Sequence, residues 1–376
     1  MLEVSFLIAL HLITFLYGIG LMRWLVKKED IQKDWPIVFS LGYALLAVLV
    51  TLAYSWGANI SWIAYGIIAG GLVFGVLGIP HLKFISVKVG SSLVGYVIIA
   101  ILLLLPKFTG GDQFSLFQGN IYDHFNYLTS SLVYSLYDYT TLQSAAIEEF
   151  LIDPLMIRPQ INLESRPAVM LLFSALVFLF VGKYLELAYV YNIFFLLQVV
   201  LLVAWSSRLL GVNFKTGLLI GLIFCGGFWG QIIFDMNAWS HLAALPLWIL
   251  FVSLSLKQLS NPKDNTLTPF FLISCSVAGS LYLYPEATIV IGAGIGILTL
   301  IQIRNRFRIF QKLAVAGLIA VCIAILDYKN TLLFLVNQLR HHLQLQPGWH
   351  QYYFSFLFGN DGISEALKTS IQNRVF

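Results

Sequence analysis

The sequence predicts an all-α protein, a polytopic bundle of transmembrane helices with one large loop outside the membrane. Hydrophobic residues make up 59% of the 376 residues and charged residues only 11%, whereas a typical soluble chain is about 45–50% apolar and about 25% charged. The mean hydropathy is +0.83. Because so little charge cannot cover a globular surface of this size, the soluble class is excluded, and lipid is expected to be the main solvent.

About eleven apolar segments approach the roughly 17–25 residues that a helix needs to cross a bilayer. Helices are expected because lipid cannot satisfy the backbone groups of an open sheet edge. The residue alternation of an outer-membrane barrel is absent. The segments are Val4 to Val26, Pro36 to Trp56, Ile60 to Ile79, Gly90 to Leu105, Pro167 to Gly182, Leu185 to Trp205, Thr216 to Phe234, Ser240 to Leu256, Pro269 to Tyr284, Pro285 to Ile303 and Leu313 to Leu326.

Basic residues follow the first, third and tenth of these segments. Connections rich in lysine and arginine stay on the cytoplasmic side of a membrane, so the N-terminus and the long connection over residues 106–166 are expected outside. The chain is then a multi-pass protein, most simply of a bacterial inner membrane. The basic groups are Lys27, Lys28 and Lys33, then Lys83 and Lys88, then Arg304, Arg306, Arg308 and Lys312.

The number of segments conflicts with this charge pattern. Six crossings after the loop would bring the basic group at 304–312 to the outer side, so one segment is not expected to cross. Thr216 to Phe234 is the first candidate, because the glycines at 226, 227 and 230 interrupt it and glycine is a poor helix former. A re-entrant pair of half-helices is predicted there. Pro167 to Gly182 is the second candidate because it is short.

The domain organisation predicted is one membrane domain over residues 1–329, with the external loop 106–166 inserted. Residues 330–376 are expected to form an external, interfacial tail. The spacing over 330–345 is amphipathic, and 349–358 is dense in aromatic residues suited to an interface. The tail ends without a further apolar segment, which suggests a truncated relative of a longer protein.

The external loop contains the first candidate site. Long ordered loops usually carry function. Phe125, Leu128, Leu132 and Leu136 recur at helical spacing, which predicts an amphipathic helix along the membrane surface.

Asp123 and Tyr127 share one face of this predicted helix, and His124 lies beside them. These three residues are candidates for contact with a lipid-linked headgroup. A structural role for Asp123 is an equal alternative, because Asn120 can cap the helix and an acid in the first turn compensates the helix dipole.

Further candidates flank the later segments. Arg158 and Arg166 precede the segment that begins at Pro167, and a guanidinium can bind a phosphate with two parallel donors. Anchoring to lipid headgroups is the alternative for both arginines. Glu286 follows Tyr284-Pro285 at a predicted outer turn, where the proline can open a helix. Such an acid is either functional or a compensation of the helix dipole.

Other ligand classes are not indicated. The net charge of +4 is scattered and predicts no nucleic-acid partner. Cys225, Cys275 and Cys322 lie far apart in apolar segments and are expected to be small buried side chains. No metal site is predicted from residue spacing, although the acidic loop allows a divalent ion. His11 is expected to hydrogen-bond to a neighbouring helix.

The order of these features resembles the GT-C superfamily of integral-membrane glycosyltransferases, which includes protein O-mannosyltransferases and aminoarabinose transferases. The resemblance covers roughly residues 110–308. It rests on Asp123-x-x-x-Tyr127 in the first large external loop, Arg166-Pro167, Lys183, Ser207-Arg208-Leu-Leu-Gly211 and the Tyr284-Pro285-Glu286 turn. The chain differs from the family in having three segments before the one that enters the loop, and Asp123-His124 in place of paired acids.

The resemblance implies an enzyme that transfers a sugar from a polyprenyl-phosphate carrier to an acceptor outside the cytoplasm. Asp123 would act as the base, and Arg166, with Arg158 as the second choice, would stabilise the departing phosphate. His124, Tyr127 and Glu286 would bind substrate. The partners implied are membrane lipids, the polyprenyl-phosphate sugar and an unidentified acceptor, without a separate cofactor.

Two functions of other classes remain open on the sequence. One is a transporter or flippase for a lipid-linked or polar substrate, although no internal repeat is visible and intramembrane ionisable residues are scarce. The other is a non-catalytic subunit of an envelope complex.

Overall fold

The computed structural model describes residues 2–26, 31–82, 87–110, 121–144, 167–180, 183–226, 239–260 and 267–326. Within these ranges the chain forms helices joined by short turns, without a strand. This confirms the all-α prediction. The predicted tail at 330–376 lies outside the described residues.

Each apolar segment of the sequence overlaps a helix in the described part of the chain. Up to residue 144 the described helices are α1 (Leu2–Leu25), α2 (Ile31–Asp34), α3 (Ile37–Ser55), α4 (Ile60–Leu82), α5 (Val87–Gly110), α6 (Ile121–Leu136) and α7 (Tyr139–Ser144). From residue 167 they are α8 (Pro167–Leu179), α9 (Tyr184–Leu209), α10 (Phe214–Gly226), α11 (Trp239–Ser260), α12 (Thr268–Leu283), α13 (Pro285–Ile301) and α14 (Ile303–Ile325).

Six helices in the described part are long and apolar enough to cross a membrane. They are α1, α3, α4, α9, α11 and the stretch Phe307–Ile325 of α14. Shorter apolar helices accompany them in α5, α8, α10, α12 and α13. The chain is therefore a multi-pass integral membrane protein.

Helices α8 and α9 form the centre of the bundle. The apolar window of α9 is 94% buried, against 22% for that of α14, as expected for a helix that is apolar on all sides. The Tyr191 hydroxyl of α9 donates to the Val169 carbonyl of α8 at 3.0 Å. It also lies 3.2 Å from the Tyr43 hydroxyl of α3. These bonds join three helices around one buried axis.

Glycine lets α1 and α3 approach each other closely. A Cβ atom on Gly42 of α3 would overlap the Thr14 carbonyl of α1, and one on Gly18 would overlap the Val38 carbonyl of α3. Lipid provides no hydrophobic driving force between helices, so close packing at small residues stabilises such crossings instead.

The two ends of the bundle carry different charges. Trp205 Nε1, near the end of α9, donates to Asp34 Oδ1 at 2.9 Å, and Ser206 lies 2.8 Å from Ser253 of α11. The end of α9 therefore lies beside the start of α3 and the last turns of α11. We call this the basic end; its described basic residues are Arg23, Lys33, Arg208, Lys215, Lys257, Arg308 and Lys312. The opposite end holds Glu3, Asp138, Lys183 and Glu186.

The segment that does not cross is α8. The Tyr189 hydroxyl, near the start of α9, donates to the Leu103 carbonyl near the end of α5 at 3.0 Å, so the chain leaves α5 and enters α9 at the same end. Phe180, after α8, packs on Phe6 near the start of α1 at 5.3 Å between ring centroids. Since α8 also ends at this end of the bundle, α5, α8 and α9 place their adjoining ends on one side, and α8 is not needed as a crossing.

This result corrects the order of the two candidates. If the second candidate, Pro167 to Gly182, does not cross, the number of crossings agrees with the positions of the basic residues. The first candidate, Thr216 to Phe234, can then cross the membrane. Helix α10 is described up to Gly226, and most of the stretch where the glycines are expected to interrupt it follows that residue. Residues 227–238 lie outside the described part.

Candidate functional site

An aromatic cluster marks the start of α11. Trp239 is fully buried and stacks on Tyr127 of α6, with ring centroids 5.5 Å apart and an interplanar angle of 9°. Its ring also packs on Phe173 of α8 at 4.8 Å and on Tyr191 of α9 at 5.5 Å. We call Tyr127, Phe173, Tyr191 and Trp239 the aromatic cluster. It fixes the loop helix α6 to the core of the bundle.

The buried face of α6 overlaps the predicted one only in part: Leu128, expected on the apolar face, is 7% exposed. Leu132 and Leu136, expected on the apolar face, are 46% and 67% exposed, whereas Tyr127, Ser131 and Tyr134 are buried. The Ser174 hydroxyl of α8 donates to the Ser131 carbonyl at 2.6 Å. The small serines allow α8 to approach, so packing against α8 adds to the buried face of α6.

A second group of contacts joins α11 to the turn before α13. The His241 and Tyr284 rings lie 4.0 Å apart between centroids. Trp248 Nε1 donates to Thr288 Oγ1 at 2.9 Å, and the Trp248 ring lies 5.8 Å from that of Tyr284. His241 therefore lies within α11, and its ring joins this helix to the turn before α13.

The turn at Tyr284 lies inside the bundle. Pro285 opens α13 and Glu286 falls in its first turn, as predicted, but Tyr284 is only 1% exposed. Gly279 of α12 packs against Ala44 of α3, and the helical rise puts Tyr284 about 7.5 Å beyond that contact. Because α3 continues for roughly 16 Å from Ala44 to its end, the turn lies roughly 9 Å deeper than the end of α3.

Glu286 is the one charged group, among the side chains described, that lies away from both ends of the bundle. It is half-buried, and its Oε2 atom is enclosed. The positive end of α13 favours a carboxylate at this position. Residues two apart on a helix lie about 200° apart, so Glu286 leaves α13 on the side opposite to Thr288 and α11.

The structure describes only some of the predicted site residues. Asp123 and His124 lie in the first turn of α6, one turn before Tyr127, and their side chains are outside the described part. Arg158 and Arg166 also lie outside it. Tyr127 and the turn preceding Glu286 both contact the first turns of α11, but on different sides. Tyr127 contacts Trp239, and Tyr284 of the turn contacts His241.

Two motifs of the family resemblance lie away from this region. Lys183 is 54% exposed at its side chain and pairs with Glu186 at 3.3 Å, an arrangement that adds little stability in water. Arg208 donates to the Lys33 carbonyl at 2.9 Å at the basic end. Gly211 closes α9 with a φ of 83°, which glycine adopts without strain. Their roles in the fold are structural.

Sequence reasoning missed Trp239, Ser240 and Trp248. Trp239, Ser240 and His241 are consecutive and follow the glycine-rich break, so a cluster of polar and aromatic residues at a new helix start was the available signal. The same run is equally typical of an interfacial loop.

No group of three or more potential metal ligands occurs among the described residues. The cysteine prediction is only partly confirmed: Cys225 is buried, Cys275 is half-buried and Cys322 is exposed. Their positions on separate helices agree with a packing role.

No protein-family model matches the chain, and neither the curated proteins nor the solved structures contain a significant match. Fold and composition define the class, a multi-pass helical membrane protein. Any narrower function has to be inferred from the site.

Proposed function

We propose that the protein is an integral-membrane glycosyltransferase of the GT-C type. It transfers a sugar from a lipid-phosphate carrier to an acceptor on the non-cytoplasmic side. The observation that carries the proposal is the meeting, at the first turns of α11, of the loop helix α6 with the turn before α13. There, Tyr127 contacts Trp239 and His241 contacts Tyr284.

The orientation follows from the charges. Seven described basic residues collect at one end of the bundle, and the positive-inside rule makes that end cytoplasmic. The N-terminus, α6 and the aromatic cluster then lie in the outer half of the membrane. This favours an acceptor outside the cytoplasm, in a bacterial inner membrane.

The site chemistry suits a sugar. Aromatic rings offer apolar faces, and hydroxyl groups such as those of Tyr127 and Tyr284 are of the kind that orients a ligand in an otherwise apolar site. In the proposed reaction an acceptor hydroxyl oxygen bonds to the anomeric carbon while the bond from that carbon to the phosphate oxygen breaks. The acceptor proton passes to Asp123. The lipid phosphate leaves with the electron pair, stabilised by Arg166 or Arg158.

Replacement of Asp123 tests this assignment. In nanodiscs, Asp123→Asn is expected to lower sugar transfer from polyprenyl-phosphate donors by at least about 100-fold, the usual contribution of a general base. Asp138→Asn is the matched control, because Asp138 is an exposed acid between α6 and α7. Undiminished turnover in Asp123→Asn, with an active wild type, rejects Asp123 as the base.

A transporter is the second candidate, and the position of Glu286 favours it. Ionisable residues between the ends of a membrane bundle commonly bind transported ions or substrates. In proteoliposomes, a transporter moves a lipid-linked or polar substrate across the bilayer without changing it chemically. Loss of that movement in Glu286→Gln, with no sugar transfer by the wild type, would replace the glycosyltransferase proposal.

A further inference from the structure

We propose that the turn between α9 and α10, with the helix that follows it, binds an anionic phospholipid of the membrane leaflet at the basic end. The lipid phosphate binds at Arg208, and the acyl chains lie along the exposed face of α10. This inference is independent of the transferase proposal, because it concerns the end of the bundle opposite to α6.

The Arg208 guanidinium is held in place by two contacts. Its Nη1 donates to the Lys33 carbonyl at 2.9 Å, and its Cζ lies 5.7 Å from the centroid of the Phe214 ring. The side chain is half-buried. A guanidinium has five N–H donors, and the bond to Lys33 uses one of them. A fixed planar group with further donors can bind a phosphate through two parallel hydrogen bonds.

Two further cations flank this guanidinium. Lys33 supplies the carbonyl that Arg208 binds, and Lys215 follows Phe214 in the sequence; both lysines are exposed. The acidic residue described at this end is Asp34, whose carboxylate accepts a hydrogen bond from α9. Three cations beside one carboxylate leave a positive surface, which favours an anion.

The surface of α10 beyond Lys215 is apolar and exposed. Leu219 and Ile223 follow Lys215 at intervals of four residues, so the three side chains share one face of the helix. The two apolar residues are 56% and 65% exposed. This face extends about 12 Å along the helix, close to the roughly 15 Å of hydrocarbon in one leaflet. A cation followed by an apolar face of this length matches a phospholipid.

The opposite face of α10 packs against the bundle. A Cβ atom on Gly217 or Gly221 would lie 2.8 Å or 2.9 Å from backbone atoms of α9. Residues two apart on a helix lie about 200° apart, so Leu219 and Ile223 are directed away from α9. The exposed face of α10 is therefore available to acyl chains, which a soluble anion does not have.

Lys257 provides a matched control. It is an exposed basic residue at the same end of the bundle, and it follows Leu256, which is 45% exposed. No hydrogen bond or ion pair with a described residue fixes its ammonium group. Replacing either Arg208 or Lys257 by glutamine removes one positive charge, so the two variants separate a fixed site from the general attraction of a basic surface.

The experiment measures thermal unfolding of the full chain in detergent micelles during titration with dioleoyl phosphatidylglycerol. Dioleoyl phosphatidylcholine supplies the same acyl chains without net charge, and glycerol 1-phosphate supplies a phosphate without chains. Phosphatidylglycerol is expected to raise the Tm of the wild type and of Lys257→Gln. In Arg208→Gln its apparent affinity is expected to fall at least about tenfold, the effect of one lost charge-assisted hydrogen bond.

Phe214→Leu is a second variant, because it keeps every charge and removes the ring on which Arg208 packs. It is expected to weaken phosphatidylglycerol binding less than Arg208→Gln does, but more than Lys257→Gln does. The measured quantity is the change in Tm caused by the lipid, so a lower starting stability of a variant does not alter the comparison.

Four results would overturn the inference. They are no response of the wild type to phosphatidylglycerol, an equal response to phosphatidylcholine, an equal response to glycerol 1-phosphate, and a loss of affinity in Lys257→Gln as large as that in Arg208→Gln. The third would identify a site for soluble phosphates, and the fourth a general attraction of anions to the basic end.

Discussion

Removal of the Trp239 ring is expected to loosen the contact between α6 and the bundle. Trp239 is 0% exposed, and truncation of such a side chain to alanine costs about 3–5 kcal/mol through lost contacts and the cavity left behind. The stack on Tyr127, at 5.5 Å, accounts for about 0.5–1.5 kcal/mol of that sum. We expect the free energy of unfolding of Trp239→Ala to fall by about 4 kcal/mol.

The assay is reversible unfolding of the purified protein by SDS in mixed micelles, combined with hydrogen exchange of the α6 backbone. Because Tyr127 is the described ring of α6 that contacts Trp239, amide exchange over residues 127–136 is expected to accelerate in Trp239→Ala. Trp239→Phe keeps a ring in the cluster and is expected to lose less stability than Trp239→Ala.

Trp62→Ala is the control, because Trp62 is 71% exposed on α4. A substitution at such a lipid-facing position is expected to change stability by less than about 1 kcal/mol. If Trp239→Ala loses no more stability than Trp62→Ala, or if exchange in α6 is unchanged, the aromatic cluster does not hold α6 in place.

Further predictions concern the packing of α3 and the start of α7. Gly42→Ala introduces a clash with the Thr14 carbonyl and is expected to lower the free energy of unfolding by at least about 2 kcal/mol. Gly292→Ala places a Cβ where nothing lies within 4 Å and is expected to raise the free energy of unfolding by about 0.5–1 kcal/mol. Equal SDS unfolding midpoints for the two variants would contradict this prediction. The Thr141 backbone N–H donates to Asp138 Oδ1 at 2.7 Å and lowers the pKa of this exposed carboxyl. A lowered pKa means that the bond stabilises α7 above the usual pKa of about 3.9 and is lost as pH falls through the folded value. Amide exchange in α7 should therefore rise on acidification, with a smaller pH dependence in Asp138→Asn; exchange independent of pH in the wild type would disprove this role.

Much of the fold was predictable because lipid imposes strong local rules. Long apolar segments between basic turns are expected to be helices, and each one overlaps a helix in the described part of the chain. His11 was expected to hydrogen-bond to a neighbouring helix. Its Nε2 lies 2.6 Å from the Tyr96 hydroxyl of α5, which confirms that prediction.

The orientation of α6 was predicted less well, because it depends on contacts between distant parts of the chain. Leucine spacing predicted the burial of Leu128 but not that of Ser131, because the serines that let α8 approach carry no hydrophobic signal. Ser131 and Ser174 are far apart in sequence but joined by a hydrogen bond of 2.6 Å. The same limitation hid Ser240, whose burial depends on helices that the local sequence does not reveal.

By itself, the sequence determined the membrane environment, the helical class and the positions of the apolar segments, because composition and hydropathy act locally. Only the tertiary structure decided that α8 ends on the same side of the bundle as α5, and that Trp239 and His241 connect α6 to the turn at Tyr284. The physical reason is that lipid drives each helix to form but does not choose its neighbours. That choice depends on close packing, such as the approach of α1 to α3 at Gly42, and on hydrogen bonds between helices.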